Sequence, residues 1–365
     1  MRFPEFCEEW MRCTLGDITE NFSRRNKEEI LYPMFSVTNN KGFIPQSEQF
    51  EDREMIGEDI KAYKIIHKDD FAYNPARINV GSIAKYNEEN PCMISSLYVC
   101  FKTNPKIDND WMMQLLKTPK MNFYYNINGE GGVRIYLFYP NFARIKTSYP
   151  TLKEQQKISS FLTLLDERIS TQNKIIEDLK KLKVAIRDKA IALGIKKSAF
   201  KTLDSIADIY QPQTIPTSLL SEDAEYFVYG ANGIIGKYTE YNHSEPQICI
   251  ACRGNTCGTI NFSTAKSWIT GNAMVVNTDQ YSVINKRYLY HYLSTINFNP
   301  LISGSGQPQI VRQPLAKLKI PTPSIEQQVG IVKVIDSFEL KIEIEKKYLQ
   351  SLLTQKVYLL SNMFI

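Results

Sequence analysis

Arginine beside asparagine in a glycine turn is a pairing that can read nucleic acid, and this chain carries it twice. Arg77 and Asn79 precede Gly81; Arg253 and Asn255 flank Gly254. Arginine can take guanine bidentately, asparagine can take adenine, and glycine lets a backbone come close. Two later glycine turns add further polar groups. Arg134 follows Gly129-Glu130-Gly131-Gly132, with Tyr136 and Tyr139 interleaved, and Gln307, Gln309 and Arg312 follow Gly304-Ser305-Gly306. Lys85, Lys237 and Lys266 lie nearby in sequence and could meet phosphates, which give affinity without sequence information. Singly, arginine and asparagine next to glycine also suit an ordinary solvated turn. The paired occurrence is what favours binding.

Catalytic arrangements are mostly missing. Gly230-Ala231-Asn232-Gly233-Ile234-Ile235-Gly236-Lys237-Tyr238 superficially suggests a phosphate-binding loop. Its glycine spacing is wrong, and Tyr238 stands where a magnesium-binding Ser or Thr is needed, so a turn between strands is expected. Asn74-Pro75-Ala76-Arg77 meets two of the four positions of the Asn-Pro-Pro-aromatic tetrad used in amino methylation, and no glycine-rich cofactor loop precedes it. Three histidines, His67, His243 and His291, are few for a triad or a histidine-rich metal site. Cys249, Cys252 and Cys257 with His243 could ligate zinc. However, Cys249 and Cys252 fall in an apolar strand-like run, where residues three apart face opposite sides; buried free thiols are expected.

The elements that hold these turns are duplicated. Pro150-Thr151-Leu152-Lys153-Glu154-Gln155-Gln156 opens one charge-rich helical stretch, and Pro321-Thr322-Pro323-Ser324-Ile325-Glu326-Gln327-Gln328 opens another; Glu154 and Glu326 are 172 positions apart. Within the stretches a heptad seam repeats at a shift of 173. Ile169, Ile176, Leu179, Lys183 and Ile186 map onto Ile342, Leu349, Leu352, Lys356 and Leu359, including the unusual seam lysine. Such patterning favours helices that pair with each other. At roughly 35 residues each they would span about 50 Å. The run 335–342 reads as a departure in spacing. The basic end of the first stretch, with Lys180, Lys181, Lys183, Arg187 and Lys189, is interrupted by Asp178 and Asp188 and suits a solvated face.

The globules match more faintly. Leu15-Gly16-Asp17-Ile18 parallels Leu203-Asp204-Ser205-Ile206, and residues 94–101 parallel 269–276 as short strands. Residues 111–118 parallel 288–295 as short helices. Each globule is expected to be α+β, ending near residues 149 and 320. The organisation is therefore 1–149 globule, 150–193 helix, 194–320 globule and 321–365 helix.

Length and composition permit this. The chain has 365 residues, 43% hydrophobic and 23% charged, enough for two or three cored domains. A formal net charge of +5 is compatible with nucleic acid without requiring it. Seven cysteines without framework spacing suit a reducing cytoplasm. The first nine residues lack the apolar core of a signal peptide, and no apolar run approaches the roughly 18 residues of a membrane span.

The globule-helix-globule-helix order and the two Glu-Gln-Gln helix openings resemble the specificity subunit of type I restriction-modification systems, over essentially the whole chain. The Leu-Gly-Asp-Ile at 15–18 and the glycine turn before each helix agree with it, whereas the second opening, Leu-Asp-Ser-Ile, departs. The resemblance implies two target-recognition domains, each reading half of a bipartite, asymmetric DNA target. It implies two helices forming an antiparallel coiled coil in an internal pseudo-two-fold repeat. It also implies partners: double-stranded DNA, two modification subunits that bind S-adenosylmethionine and methylate adenine N6, and restriction subunits that can join with ATP and magnesium. This chain itself would bind no cofactor and catalyse nothing. Two other readings stay open at this point: a self-contained restriction or methyltransferase enzyme, and a coiled-coil scaffold that does not touch DNA.

Overall fold

A computed structural model of the chain describes residues 1–49, 60–132, 135–196, 198–304 and 306–364. The chain folds into two compact units, Met1–Asn173 with Lys347–Ile365, and Lys174–Lys346. Helical residues on either side of each boundary belong to continuous helices, Leu152–Ile195 and Ile325–Met363. At 44 and 39 residues these run longer than the heptad pattern alone defines.

In the first unit a four-stranded antiparallel sheet has the order Thr19–Phe22, Val99–Thr103, Phe71–Tyr73, Ile83–Lys85. Phe71 pairs with Phe101 and Ala72 with Ala84. Alternation along these short strands puts Phe71, Tyr73 and Phe101 into one core with Trp111 and Phe142, while Ala72 and Cys100 join a second cluster on the other face. The helix Asn109–Leu116 covers the first core, begun by Asp108, whose carboxylate accepts from the Trp111 N–H at 2.8 Å. The strand pair Met11–Thr14 and Lys146–Tyr149 leads into the first long helix.

The second unit repeats this order: Asp208–Tyr210, Ala273–Asn277, Ile248–Ala251, Ile260–Phe262. Its covering helix is Lys286–Leu293, and its closing strand pair is Ala199–Thr202 with Lys319–Thr322. The two short helices each begin two residues earlier than the sequence pattern places them, because Asp108 and Asn285 cap them. A hairpin, Tyr226–Gly230 with Gly233–Tyr238, and the strand Trp268–Ile269 are added beside it. The glycine-rich 230–238 run is thus a hairpin turned at Ala231-Asn232, between the paired Gly230 and Gly233.

Each unit contains an antiparallel stretch of the long helices. In the first, Lys356 pairs with Asp166 and the Arg168 guanidinium sits 5.4 Å from the Tyr348 ring centre. In the second, Lys183 pairs with Glu339 at 3.3 Å, and Gly194 abuts Ile331 so closely that a Cβ there would lie 3.0 Å from its Cδ1. The seam positions are buried or half-buried at every heptad step: 162, 165, 169, 172, 176, 179, 183 and 186, and, 173 later, 335, 338, 342, 345, 349, 352, 356 and 359. The spacing departure read at 335–342 is absent, since Ile335, Phe338 and Ile342 fall where Leu162, Leu165 and Ile169 do.

The Glu-Gln-Gln openings are corrected by one residue. Gln155 Oε1 accepts from the Asp108 N–H at 2.8 Å, and its Nε2 donates to the carbonyls of Lys106 and Pro150 at 3.0 and 2.9 Å. Gln328 makes the same three bonds with Asn285 N–H, Val283 O and Pro323 O at 2.7, 3.1 and 2.8 Å. The equivalent residues are therefore the first glutamine of one motif and the second of the other, 173 apart like the seam. Both side chains are fully buried. Each latches its helix onto the loop before the covering helix. One position earlier the halves differ. Gln327 forms a reciprocal capping box with Ser324. Glu154 instead takes Arg2 bidentately at 2.7 Å and accepts from Trp10 Nε1 at 3.3 Å.

The covering helix of the second unit buries His291 against Asp336, 2.9 Å away, and Tyr210 meets a second buried histidine, His243, at 2.9 Å. Burial holds both imidazoles below the ordinary histidine range. The unfolded chain therefore binds protons first as pH falls. This contribution to stability is complete above about pH 6.5 and is lost as pH drops through that value toward the lower folded ones. Urea midpoints should accordingly be lower at pH 5.5 than at 7.5, and His291→Gln should reduce that difference.

Candidate nucleic-acid interface

In the second unit the chain leaves the inner strand at Ala251, turns through 252–259 and returns as Ile260–Phe262. Gly254 and Gly258 have φ of +79° and +90°, the left-handed region that glycine occupies without strain. At Gly258 there is also no room, because a Cβ would lie 2.9 Å from that of Phe298. The later turn is stitched to this one. The Gly254 N–H donates to Pro308 O and the Ile310 N–H to Cys252 O, both at 3.0 Å, and Arg253 bridges Gln309. Arg253, Asn255, Gln307 and Gln309, 56 positions apart at the extremes (253 to 309), thus share one exposed edge.

The first unit builds the same junction. The Leu137 N–H donates to Pro75 O at 2.9 Å, and Leu137 and Ile310 are again 173 apart and both buried. Tyr136 and Glu130 exchange backbone bonds of 2.8 Å in each direction. Arg77 is exposed, and Gly81, φ +99°, ends the turn. Counted from paired strand positions, Tyr73 and Ile250, Arg77 lies four residues on and Arg253 three, so the two arginines are one residue out of register. Asn74 is a turn residue, its Oδ1 accepting from the Ala76 N–H at 3.0 Å.

The remaining sequence candidates are placed differently. Lys85 is 12% exposed and held by Asp110 at 2.6 Å and Asp69 at 3.5 Å, so its charge is already matched. Lys237 lies on the added hairpin, 5.9 Å from the Phe227 ring centre. Arg312 donates through Nε to Ile209 O at 2.8 Å and so anchors the sheet edge strand, although the residue is exposed. Tyr136 is exposed and stacks on Phe138, with ring centres 6.3 Å apart. Arg134 lies outside the described residues.

Sequence reasoning missed Asn126. Asn79 Nδ2 donates to its Oδ1 at 3.0 Å, and Asn126 Nδ2 donates back to Asn122 O at 2.8 Å. Both sit on the helix Pro119–Asn128, which the second unit lacks at this point; there a 3-10 turn, Asn299–Leu301, stands instead. The signal was available in Thr118-Pro119, a capping threonine and a proline at the first helical position, followed by Asn122 and Asn126 one turn apart.

The cysteines are separated by strand geometry. Cys252 faces the core of Ile248 and Ile250, whereas Cys249 faces Tyr229 and Val275. Burial pushes the Cys249 thiol up to about 12. Among the described residues no three His, Cys, Asp or Glu side chains are grouped to hold a metal ion, and no helix is long and apolar enough to cross a membrane.

Residues 7–181 and 195–354 match the family model described as the type I restriction modification DNA specificity domain. The specificity subunit of the Escherichia coli type I restriction enzyme EcoprrI is 31% identical over 143 residues, 38% of this chain; the match spans 35% of that relative's length. Among solved structures, the type I restriction-modification S subunit from M. genitalium superposes with a TM-score of 0.64 at 16% identity, covering 98% of this chain and 96% of the other. The HsdS subunit from Thermoanaerobacter tengcongensis gives 0.51 at 16% identity, covering 98% and 97%. At these identities the structural likeness speaks for the fold.

Proposed function

Since the chain belongs to the type I restriction modification DNA specificity family, we propose that it reads a bipartite, asymmetric DNA target with one unit per half-site. The observation that carries this is the repeated junction: the same sheet order and the same stitch at Leu137 and Ile310 hold different exposed side chains. A common scaffold with different readers suits two different half-sites. Arg77, Asn79, Asn126 and Tyr136 are the readers of one unit; Arg253, Asn255, Gln307 and Gln309 are those of the other. The long helices set the spacing and receive two modification subunits. Those subunits bring S-adenosylmethionine and the methyl-transfer chemistry; restriction subunits with ATP and magnesium act through the same assembly, in the cytoplasm.

The purified chain should bind duplex DNA with an affinity that falls steeply with salt, and should transfer no label from a methyl donor unless a modification subunit is added. Methyl transfer by the chain alone would favour a self-contained enzyme; salt-independent or absent binding would favour a scaffold. Arg253→Ala should weaken binding to the cognate site by about 1–3 kcal/mol, roughly 5- to 150-fold, with less effect on unrelated duplex. An equal loss on both would assign Arg253 to phosphate instead.

A further inference from the structure

The seam lysines do more than join two helices. In the first unit, Asp166 on the first long helix receives Lys356 from the second on Oδ1, while its Oδ2 accepts from Gln114 Nε2 at 3.1 Å. Gln114 belongs to the covering helix of the globule. In the second unit, Glu339 receives Lys183 on Oε1 at 3.3 Å, and its Oε2 accepts from Arg287 Nη2 at 2.8 Å. Arg287 belongs to the equivalent covering helix. Asp166 and Glu339 are 173 apart, as are Lys183 and Lys356. Each carboxylate thus joins three elements with its two oxygens: both long helices and the helix of the reading globule.

We infer that Asp166 and Glu339 are positioning residues for target recognition, fixing how each reader is seated along the helix pair and hence the phase of its half-site. This rests on the bipartite reading proposed above. An apolar seam alone is tolerant of sliding, because neighbouring heptads offer similar contacts. A buried or half-buried charge with a single complementary partner penalises every register but one. Here the same charge also holds the globule, so register and seating are fixed together.

The two nodes differ in a way that yields a sharp test. Gln114 can present either end of its amide, and its Oε1 is a buried acceptor without a partner among the described residues. A lysine at position 166 would therefore still be accepted, and Lys117 close by would keep one acid and one base beside it. Arg287 has only donors, and a lysine at position 339 would face it directly. Asp166→Lys with Lys356→Asp should thus restore function, whereas Glu339→Lys with Lys183→Glu should not. Adding Arg287→Gln to the latter pair should restore it, since glutamine can accept from the new lysine and still donate to Asp336, which also keeps His291.

Each variant is co-expressed with the modification subunit and methylated adenines are mapped across a host genome. The single variants Asp166→Leu and Glu339→Leu should raise methylation at sites with spacers one base pair longer or shorter by about tenfold, ~1.4 kcal/mol of lost discrimination, with both half-sites unchanged. Parent-like spacer distributions in both would overturn the inference. Equal rescue by both swaps would also overturn it, leaving two plain interhelix ion pairs. Should the leucine variants fail to fold, the swaps decide alone. A parent chain that directs no bipartite methylation would sink the underlying reading, a result distinct from an unchanged spacer.

Discussion

Gln328→Leu lowers the stability of the Lys174–Lys346 unit by about 3–5 kcal/mol. The substitution leaves the Asn285 N–H and the carbonyls of Val283 and Pro323 facing an apolar side chain. A buried backbone group stripped of its partner costs about 1–3 kcal/mol, and three lose theirs at once. The side chain is fully buried, so water cannot easily substitute. Gln155→Leu should do the same to the other unit through Asp108, Lys106 and Pro150. Urea unfolding measures the loss, and hydrogen exchange at the Asp108 and Asn285 amides localises it. A change below about 1 kcal/mol, within the range of one ordinary hydrogen bond, would show that the latch is incidental.

Removing one heptad from each long helix, residues 171–177 and 345–351, shortens the spacer of the DNA target by about three base pairs. Seven helical residues rise about 10.5 Å, and ten base pairs occupy about 34 Å. The deletion keeps the heptad phase and leaves Asp166, Lys183, Glu339 and Lys356 in place. Both half-sites should remain unchanged, because no residue of either proposed reading edge is touched. A spacer of unaltered length in the methylated sites would contradict the role of the helices as a ruler.

Much of this architecture was legible in the sequence, and what was missed has physical causes. The seam could be read because heptad burial depends only on residues along one helix; its shift of 173 holds at every described step. Lys183 and Lys356 stood out as seam lysines, but their partners Asp166 and Glu339 lie on the opposite helix and required the packing. Matching Glu154 with Glu326 by letter misplaced the repeat by one residue, since the equivalence lies in what Gln155 and Gln328 bond. The proposed reading edge was half legible. Arg253 and Gln309 were both singled out, and strand pairing brought them together. Lys85 and Arg312 looked equally available, but Asp110 and the Ile209 carbonyl hold them. Asn126 was missed because it is reached through a helix found in one half only.

Under the proposed function, each unit reads its own half of the target. The most direct measurement is genome-wide adenine-methylation mapping with the modification subunit co-expressed, comparing the parent chain with one in which Arg253, Asn255, Gln307 and Gln309 are replaced by alanine. The parent should give a bipartite, asymmetric motif with a fixed spacer, and the variant a change confined to one half of that motif. A contiguous or palindromic motif in the parent, or a change in both halves in the variant, would contradict it.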